Sequence, residues 1–349
     1  MIKKTAKMLS LGIAWLGLAG ASALGKDDSL ELLSRDFNTI QDSSDLKKKK
    51  PIKILKPGQY DEAYDYYVQG YYLKAFRAAL RRAENNDPFA QTLIGKMYLE
   101  GYAVPIDGAR AALWFGRAAK QGDPQAQLRY GLMLLEGTFI KKNQQKAEEF
   151  IQKAVQAGVK EAYFYYGQLL LEKALPHDQV LAGVSSQSPD NTMVEQALML
   201  FLKGAALGEP EAAFAAAQIL ASGTLTRPKD DDNARKLLEV AASSHHRMAQ
   251  MILAQWLVQG RGGEIDVQRA FDLFFDNAFK MIIPAQIELA RFYRDGIGTT
   301  SNPIMAAAWY LVAKQNNEQV LDLENMLHNM SHDQLKEAQQ QAMQLFSSF

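Results

Sequence analysis

The sequence predicts an all-α fold, a solenoid of antiparallel helix pairs, and three observations predict it. An Ala that opens an apolar run recurs at 90, 126, 162, 212, 249 and 285, in steps of 36, 36, 50, 37 and 36 residues. A second marker Ala recurs at 111, 147, 197, 234, 270 and 306. From each second-type Ala to the next first-type Ala is 15 residues, five times out of five. Self-similarity at a fixed period in the thirties signals stacked units that bury their apolar faces only against their neighbours.

The chain opens before the repeats begin. Lys3, Lys4 and Lys7 precede the apolar run "MLSLGIAWLGLAGA" (8–21), and "ASA" (21–23) supplies small residues for cleavage. This is the layout of a secretory signal peptide over 1–23. The apolar run is 14 residues, short of the roughly 20 that span a bilayer; an uncleaved signal anchor is the alternative. The Lys-led signal reads as bacterial, with the periplasm as destination and inner-membrane anchoring or export as alternatives. Residues 24–58, with Lys47–Lys50 and prolines 51 and 57, read as a polar, basic tether. Membrane contact is expected at most through that tether or an uncleaved signal.

Composition narrows the function. The 349 residues carry 39 basic and 39 acidic side chains and no cysteine. A zero formal charge leaves no basic excess for nucleic acid. Without cysteine there are no disulfides and no thiolate metal sites.

Within the array, the first-type run is helix A. Five residues after its Ala comes a small residue (Gly95, Gly131, Gly167, Ala217, Ala254, Ala290), and eleven after it a closing Gly, with Lys173 the exception. Offsets of 4, 5 and 8 share one helical face, and a terminal Gly suits the left-handed closing position. The second-type run is helix B, with large apolar pairs such as Trp114-Phe115 and Trp309-Tyr310 three and four residues after its Ala. Four residues before that Ala stand Asp107, Asn143, Asp230, Asp266 and Asn302, which read as N-caps; Met193 breaks the pattern. The link "GDP" (122–124) closes helix B with Gly122 and opens the next helix A with Pro124, where no N–H is needed.

The domain reading follows from these marks. An opening repeat over 59–87 has a short turn, Gly70 lying only five residues before Ala75. Six repeats follow at 88–123, 124–159, 160–209, 210–246, 247–282 and 283–317. The third carries an insertion over 174–194, read equally as disorder or as a partner contact. Residues 318–349 read as two capping helices, the second opened by a capping box of Ser331 and Gln334.

"AQTLIGKMYLEG" (90–101) and "DGARAALWFGRAAKQG" (107–122) resemble the Sel1-like repeat, a relative of the tetratricopeptide repeat; "NQQKAEEFIQKAVQAG" (143–158) does so almost as well. Residues 59–87 look like a tetratricopeptide-type repeat. The later copies drift, with Ala at 217, 254 and 290, and with His245, Met281 and Asn317 at closing positions. The fold class is then a right-handed α-solenoid. The resemblance implies a non-enzymatic scaffold or adaptor that binds another protein, an envelope protein, and acts in envelope signalling. Some relatives are linked to β-lactam or cell-wall binding, so an accessory factor or enzyme of peptidoglycan turnover is one alternative, and a secreted host-interaction factor is the other. Those relatives carry a disulfide in each repeat, which this chain lacks.

The sequence offers no catalytic constellation, cofactor motif or metal-binding pattern. "GRGG" (260–263) and "GIG" (296–298) fall in the repeat's own turn and lack the strand and Lys-Ser/Thr of a phosphate loop. His245 and His246, at the end of a helix B, are expected to face solvent. The candidate site is instead the face lined by the A helices. Two residues after each marker come Thr92, Leu128, Phe164, Phe214, Met251 and Ile287, an apolar row. Ten after come Glu100, Glu136, Glu172, Ser222, Gln259 and Asp295, a mainly acidic one. Together these could hold a peptide or helix of a partner, although the apolar row also suits packing. Arg291 and Arg294 are expected exposed at the far end, giving the face polarity. Tyr60, Tyr64, Tyr66, Tyr67, Tyr71 and Tyr72 are expected to cover the open end of the core.

Overall fold

The computed structural model describes residues 61–174, 191–315 and 318–347. The expected signal peptide, the tether, Tyr60, Asn317 and residues 175–190 of the insertion lie outside them. The described residues form sixteen helices and no strand. Two compact units divide inside one helix, between Leu169 and Leu170.

In the first unit α1 is Glu62–Val68, α2 Tyr72–Glu84, α3 Pro88–Glu100, α4 Gly108–Lys120, α5 Pro124–Glu136 and α6 Gln144–Gln156. Helix α7, Lys160–Ala174, contains the boundary. The second unit continues with α8 Asn191–Ala206, α9 Pro210–Ser222, α10 Asp231–Ser243, α11 Arg247–Gln259 and α12 Val267–Phe279. It ends with α13 Ile283–Asp295, α14 Pro303–Lys314, α15 Leu321–His328 and α16 His332–Ser347.

The constant link has a backbone cause. After each B helix the Asp123-type N–H donates to the carbonyl five residues back: Asp87 to Arg82, Asp123 to Ala118, Val159 to Ala154, Glu209 to Gly204, His246 to Ala241 and Ile282 to Asn277. Their lengths run from 3.0 to 3.2 Å. This is the Schellman closure, which needs a left-handed residue just past the helix. Gly122, Gly158 and Gly208 supply it, but Asn86, His245 and Met281 adopt φ of +63°, +61° and +60° in the same place. The turn is kept even where no glycine makes it free of strain.

The other link, from helix A to helix B, is equally fixed. The N–H groups of Asp107, Asn143, Asp230, Asp266 and Asn302 donate to Tyr98, Leu134, Leu220, Leu257 and Tyr293 at 2.7–2.9 Å. The same five side chains accept N–H groups of the first turn of helix B, as read from the sequence. Each therefore closes the turn and caps the helix at once.

Every marker Ala, and Ala75 before them, is fully buried at 0% exposure. The small residue of helix A lies against its partner helix B. A Cβ on Gly131 would sit 2.7 Å from Ile151 Cγ1 and 3.1 Å from the Ala147 carbonyl oxygen; on Gly95 it would meet the Phe115 ring at 3.0 Å. Ala217, Ala254 and Ala290 fill the equivalent place in later copies, at 1% exposure or less. Beside the marker, four buried glutamines reach back to the preceding B helix. Gln91, Gln127, Gln250 and Gln286 donate through Nε2 to the carbonyls of Ala83, Ala119, Ala242 and Ala278 at 2.9–3.4 Å. These staple adjacent repeats while satisfying buried polar groups.

The irregular copies follow their sequence. Lacking a Gly at 173, α7 continues to Ala174 and has 15 residues where its counterparts have 13. Helix α8 has 16 residues, and Met193 lies inside it rather than at a cap. Gly70, at φ +79°, closes α1 with the same Schellman bond, Tyr71 N–H to the Tyr66 carbonyl. In the tail, Ser331 N–H donates to Gln334 Oε1 and Gln334 N–H to Ser331 Oγ, at 3.0 and 3.3 Å, completing the capping box. Helix α16 covers α14, with Ala342 packed on Ala308 and Val312 and with Leu345 and Phe346 beside them.

Candidate functional site

In the first unit, α3, α5 and α7 bear the positions singled out for binding. Leu128 is 2% exposed and belongs to the core with Ile151 and Ala162. The Thr92 hydroxyl bonds Asp123 Oδ1 at 2.9 Å, and Asp123 in turn caps α5 by accepting Ala126 N–H at 2.7 Å. Burial pushes the Asp123 carboxyl above the ordinary range, against the pull of those bonds. Phe164 is half-buried, its ring 5.3 Å from that of Tyr165.

The second unit repeats the arrangement. The Phe214 ring lies 4.5 Å from that of His246. His246, expected in solvent, instead caps α11: its Nδ1 accepts Ala249 N–H at 3.0 Å, and Nε2 meets Glu211 Oε2 at 2.9 Å. Accepting through Nδ1 requires a proton on Nε2, so the neutral ring donates to Glu211. Met251 is 8% exposed and Ile287 half-buried. At Thr92 and Phe214 the row therefore packs on the first turn of the next helix A, and at Leu128 and Met251 it is closed to solvent.

The carboxylate row stands open. Glu100 and Glu136 in the first unit, and Glu172, Ser222, Gln259 and Asp295 in the second, are all exposed. Glu100 accepts the Tyr67 hydroxyl at 2.6 Å, and Lys96 lies 4.8 Å over the Tyr67 ring. Desolvation, with that bond to Glu100, holds the Tyr67 phenol far above its usual range. Glu136, though exposed, is desolvated enough by nearby protein to titrate above its ordinary value. One residue before each glutamate lies a half-buried leucine, Leu99 and Leu135 in the first unit and Leu171 in the second, whereas Arg294 precedes Asp295. These accessible apolar positions were missed, although the signal was present as "LE" at 99–100, 135–136 and 171–172.

The Sel1 repeat profile matches residues 88–123, 124–159, 192–209, 210–246, 247–275 and 283–317, more than half of the chain. The chain belongs to the Sel1 repeat family. Its repeats share their fold with a solved protective antigen of uropathogenic Escherichia coli displaying an SLR fold, at 23% identity and a TM-score of 0.67. That match covers 82% of this chain and 62% of the antigen, so the chain spans less than two thirds of its length. A Sel1 repeat protein from Oxalobacter formigenes is similar at 26% identity and a TM-score of 0.58, over 74% of this chain and 97% of that one. No curated protein matches. Sel1-repeat solenoids typically serve protein–protein interaction, and the family is generally non-catalytic.

The last Sel1 repeat departs from what its sequence suggests. Arg291 and Arg294 are half-buried and engaged rather than free at the rim. Arg291 Nε and Nη2 each donate to Asp322 at 3.0 Å, and Arg294 Nη1 does so at 2.9 Å. Glu288 pairs with Arg291 at 2.6 Å and Asp295 with Arg294 at 2.7 Å. The two guanidiniums hold the Asp322 carboxyl well below the usual range. Sequence reasoning could not pair them, because Asp322 lies in the non-repeating tail.

In the opening repeat of the first unit, the tyrosines divide. Tyr66, Tyr67 and Tyr72 pack on the core, with Tyr72 stacked on Tyr102 at 4.2 Å. Tyr64 and Tyr71 remain 55% and 53% exposed, beside Val68 at 66%. Covering the core accounts for the first group only.

Proposed function

We propose that this Sel1-repeat protein is a non-enzymatic adaptor of the bacterial periplasm, holding a partner protein on the face lined by its A helices. The reading rests on one observation: in the first unit an exposed carboxylate, Glu100 or Glu136, directly follows a half-buried leucine, Leu99 or Leu135, at the end of α3 and of α5. Such a row offers apolar contact for an amphipathic segment and charge for basic or hydrogen-bond-donating groups beside it. Polar groups between repeats are meanwhile engaged in caps and glutamine staples.

The test is crosslinking in the envelope followed by capture of the chain. A partner held by the intact protein is expected to be lost from Glu100→Arg/Glu136→Arg, whose positions are exposed and whose fold should survive. Capture that is indifferent to this double charge reversal argues against the reading. Labelled penicillin and muropeptides should give neither adduct nor turnover, and fractionation should find the chain in the periplasm.

A further inference from the structure

The repeats supply an internal control for Arg291 and Arg294. The positions corresponding to Arg291 are Lys96, Leu132, Gln168, Gln218 and Gln255. Those corresponding to Arg294 are Leu99, Leu135, Leu171, Ala221 and Val258. The helix-pair frame therefore needs no arginine at either place. In the last repeat two guanidiniums stand three residues apart on α13, on one helical face, and converge on a single carboxylate. Arg291 grips both Asp322 oxygens as a planar fork and Arg294 adds a third bond. Paired, forked recognition of a carboxylate is the task for which arginine is suited and lysine is not.

What fills this site is a weak element. Helix α15 has eight residues, too few to persist alone. Its grip on the array includes Asp322 on the two arginines, Glu324 on Tyr310 and Lys314 at 2.6 and 2.7–2.9 Å, the Val320 N–H donating to the Tyr310 hydroxyl at 3.0 Å, and the buried Leu323 and Leu327. Leu321 points away, 76% exposed. The Asp322 side chain keeps 42% of its surface in water, so an incoming carboxylate can approach the same guanidiniums.

We infer that α15 is a ligand carried in cis: Arg291 and Arg294 form a carboxylate-reading site, and an acidic amphipathic segment of a partner protein competes with α15 for it. The inference deepens the adaptor reading by assigning one end of the array a partner chemistry, a carboxylate placed beside leucine as in "LDLENML" (321–327). It rests on that reading only for the partner's being a protein. Charge selects the ligand, because Glu288 takes Arg291 Nη1 and Asp295 takes Arg294 Nε and Nη2, leaving Arg291 Nε and Nη2 and Arg294 Nη1 as donors for one further carboxylate.

The test uses the purified full chain and a fluorescein-labelled peptide of residues 318–330. Asp322→Asn should bind this peptide at least tenfold more tightly than the wild type, because its arginines are vacant. Arg291→Ala/Arg294→Ala in that background should abolish the gain, as should Asn in place of the peptide's own aspartate. Equal binding by wild type and Asp322→Asn, or binding indifferent to the arginines, overturns the inference. Circular dichroism checks that each variant is folded. Should Asp322→Asn unfold, Leu321→Cys gives the cysteine-free chain a unique, exposed attachment point for a dye. Excess unlabelled peptide should then change the dye's emission on the otherwise wild-type protein, and no change is again the overturning result. A negative outcome leaves the Glu100/Glu136 capture experiment intact, so the two readings fail separately.

Discussion

Met281 holds a left-handed backbone where Gly122, Gly158 and Gly208 occupy the same place in other repeats. For an L-residue that conformation costs roughly 1–2 kcal/mol, and glycine escapes it at an unfolded-state entropy cost of about 0.5–1 kcal/mol. Met281→Gly and His245→Gly should therefore each stabilise the second unit by about 0.5–1 kcal/mol, read as a higher urea midpoint at unchanged slope. Both positions are exposed, Met281 at 44%, and what Met281 gives up includes the weak bond its sulfur accepts from Gln286 Nε2 at 3.8 Å. A lower midpoint would show that these side chains make contacts worth more than the strain. The N-caps and markers were legible at this scale, because each acts on neighbours within a few residues. His246 was not: a histidine caps a helix only when its ring is turned so that Nδ1 meets an N–H, and composition does not reveal that rotation.

Between elements, the spacing of each helix pair is set by what fits under helix A. At Gly131 a methyl would press on Ile151 and on the Ala147 carbonyl, so Gly131→Ala should cost about 1–3 kcal/mol by overpacking. Ile151→Ala, which removes the Cγ1 in the way, should cost less in the Gly131→Ala background than it does alone. Thermal unfolding of the single and double variants decides it, and strict additivity would show that the two sites do not touch. Helix α15 is governed by charge instead. The arginines depress the Asp322 pKa below its unfolded value, so its ion pairs contribute fully above the ordinary aspartate range near 3.9 and fade as pH falls through the depressed value. Glu324, held low by Lys314 and then Tyr310, changes with the same sign. A dye at Leu321→Cys should thus report release of α15 only below about pH 4. Asp322→Asn should give the released signal already at neutral pH. The four glutamine staples were readable as "AQ" at 90–91, 126–127, 249–250 and 285–286, yet their purpose emerges only once the preceding B helix lies alongside.

Across the whole molecule, stability comes from neighbours, since no single helix pair can bury its own face. The second unit ends where α16 covers Ala308 and Val312, both 0% exposed. A chain truncated after residue 330 should lose at least about 2 kcal/mol from that unit, the value of burying a residue such as Val or Phe. It should also self-associate through the uncovered α14, which analytical ultracentrifugation would detect. A truncated chain as stable and monodisperse as the full one would mean that α16 is not a cap. The amino acid sequence alone determined the helix pairs, their caps, their links and the family, because those features are local and are written six times over. The tertiary structure decided which positions of the A helices stay open. It closed Leu128 and Met251, left the carboxylates and their adjacent leucines accessible, and joined Arg291 and Arg294 to Asp322. Periodicity names a helical face but not the neighbour that will cover it, and a contact between an array and its unrepeated tail occurs once, leaving no pattern to read.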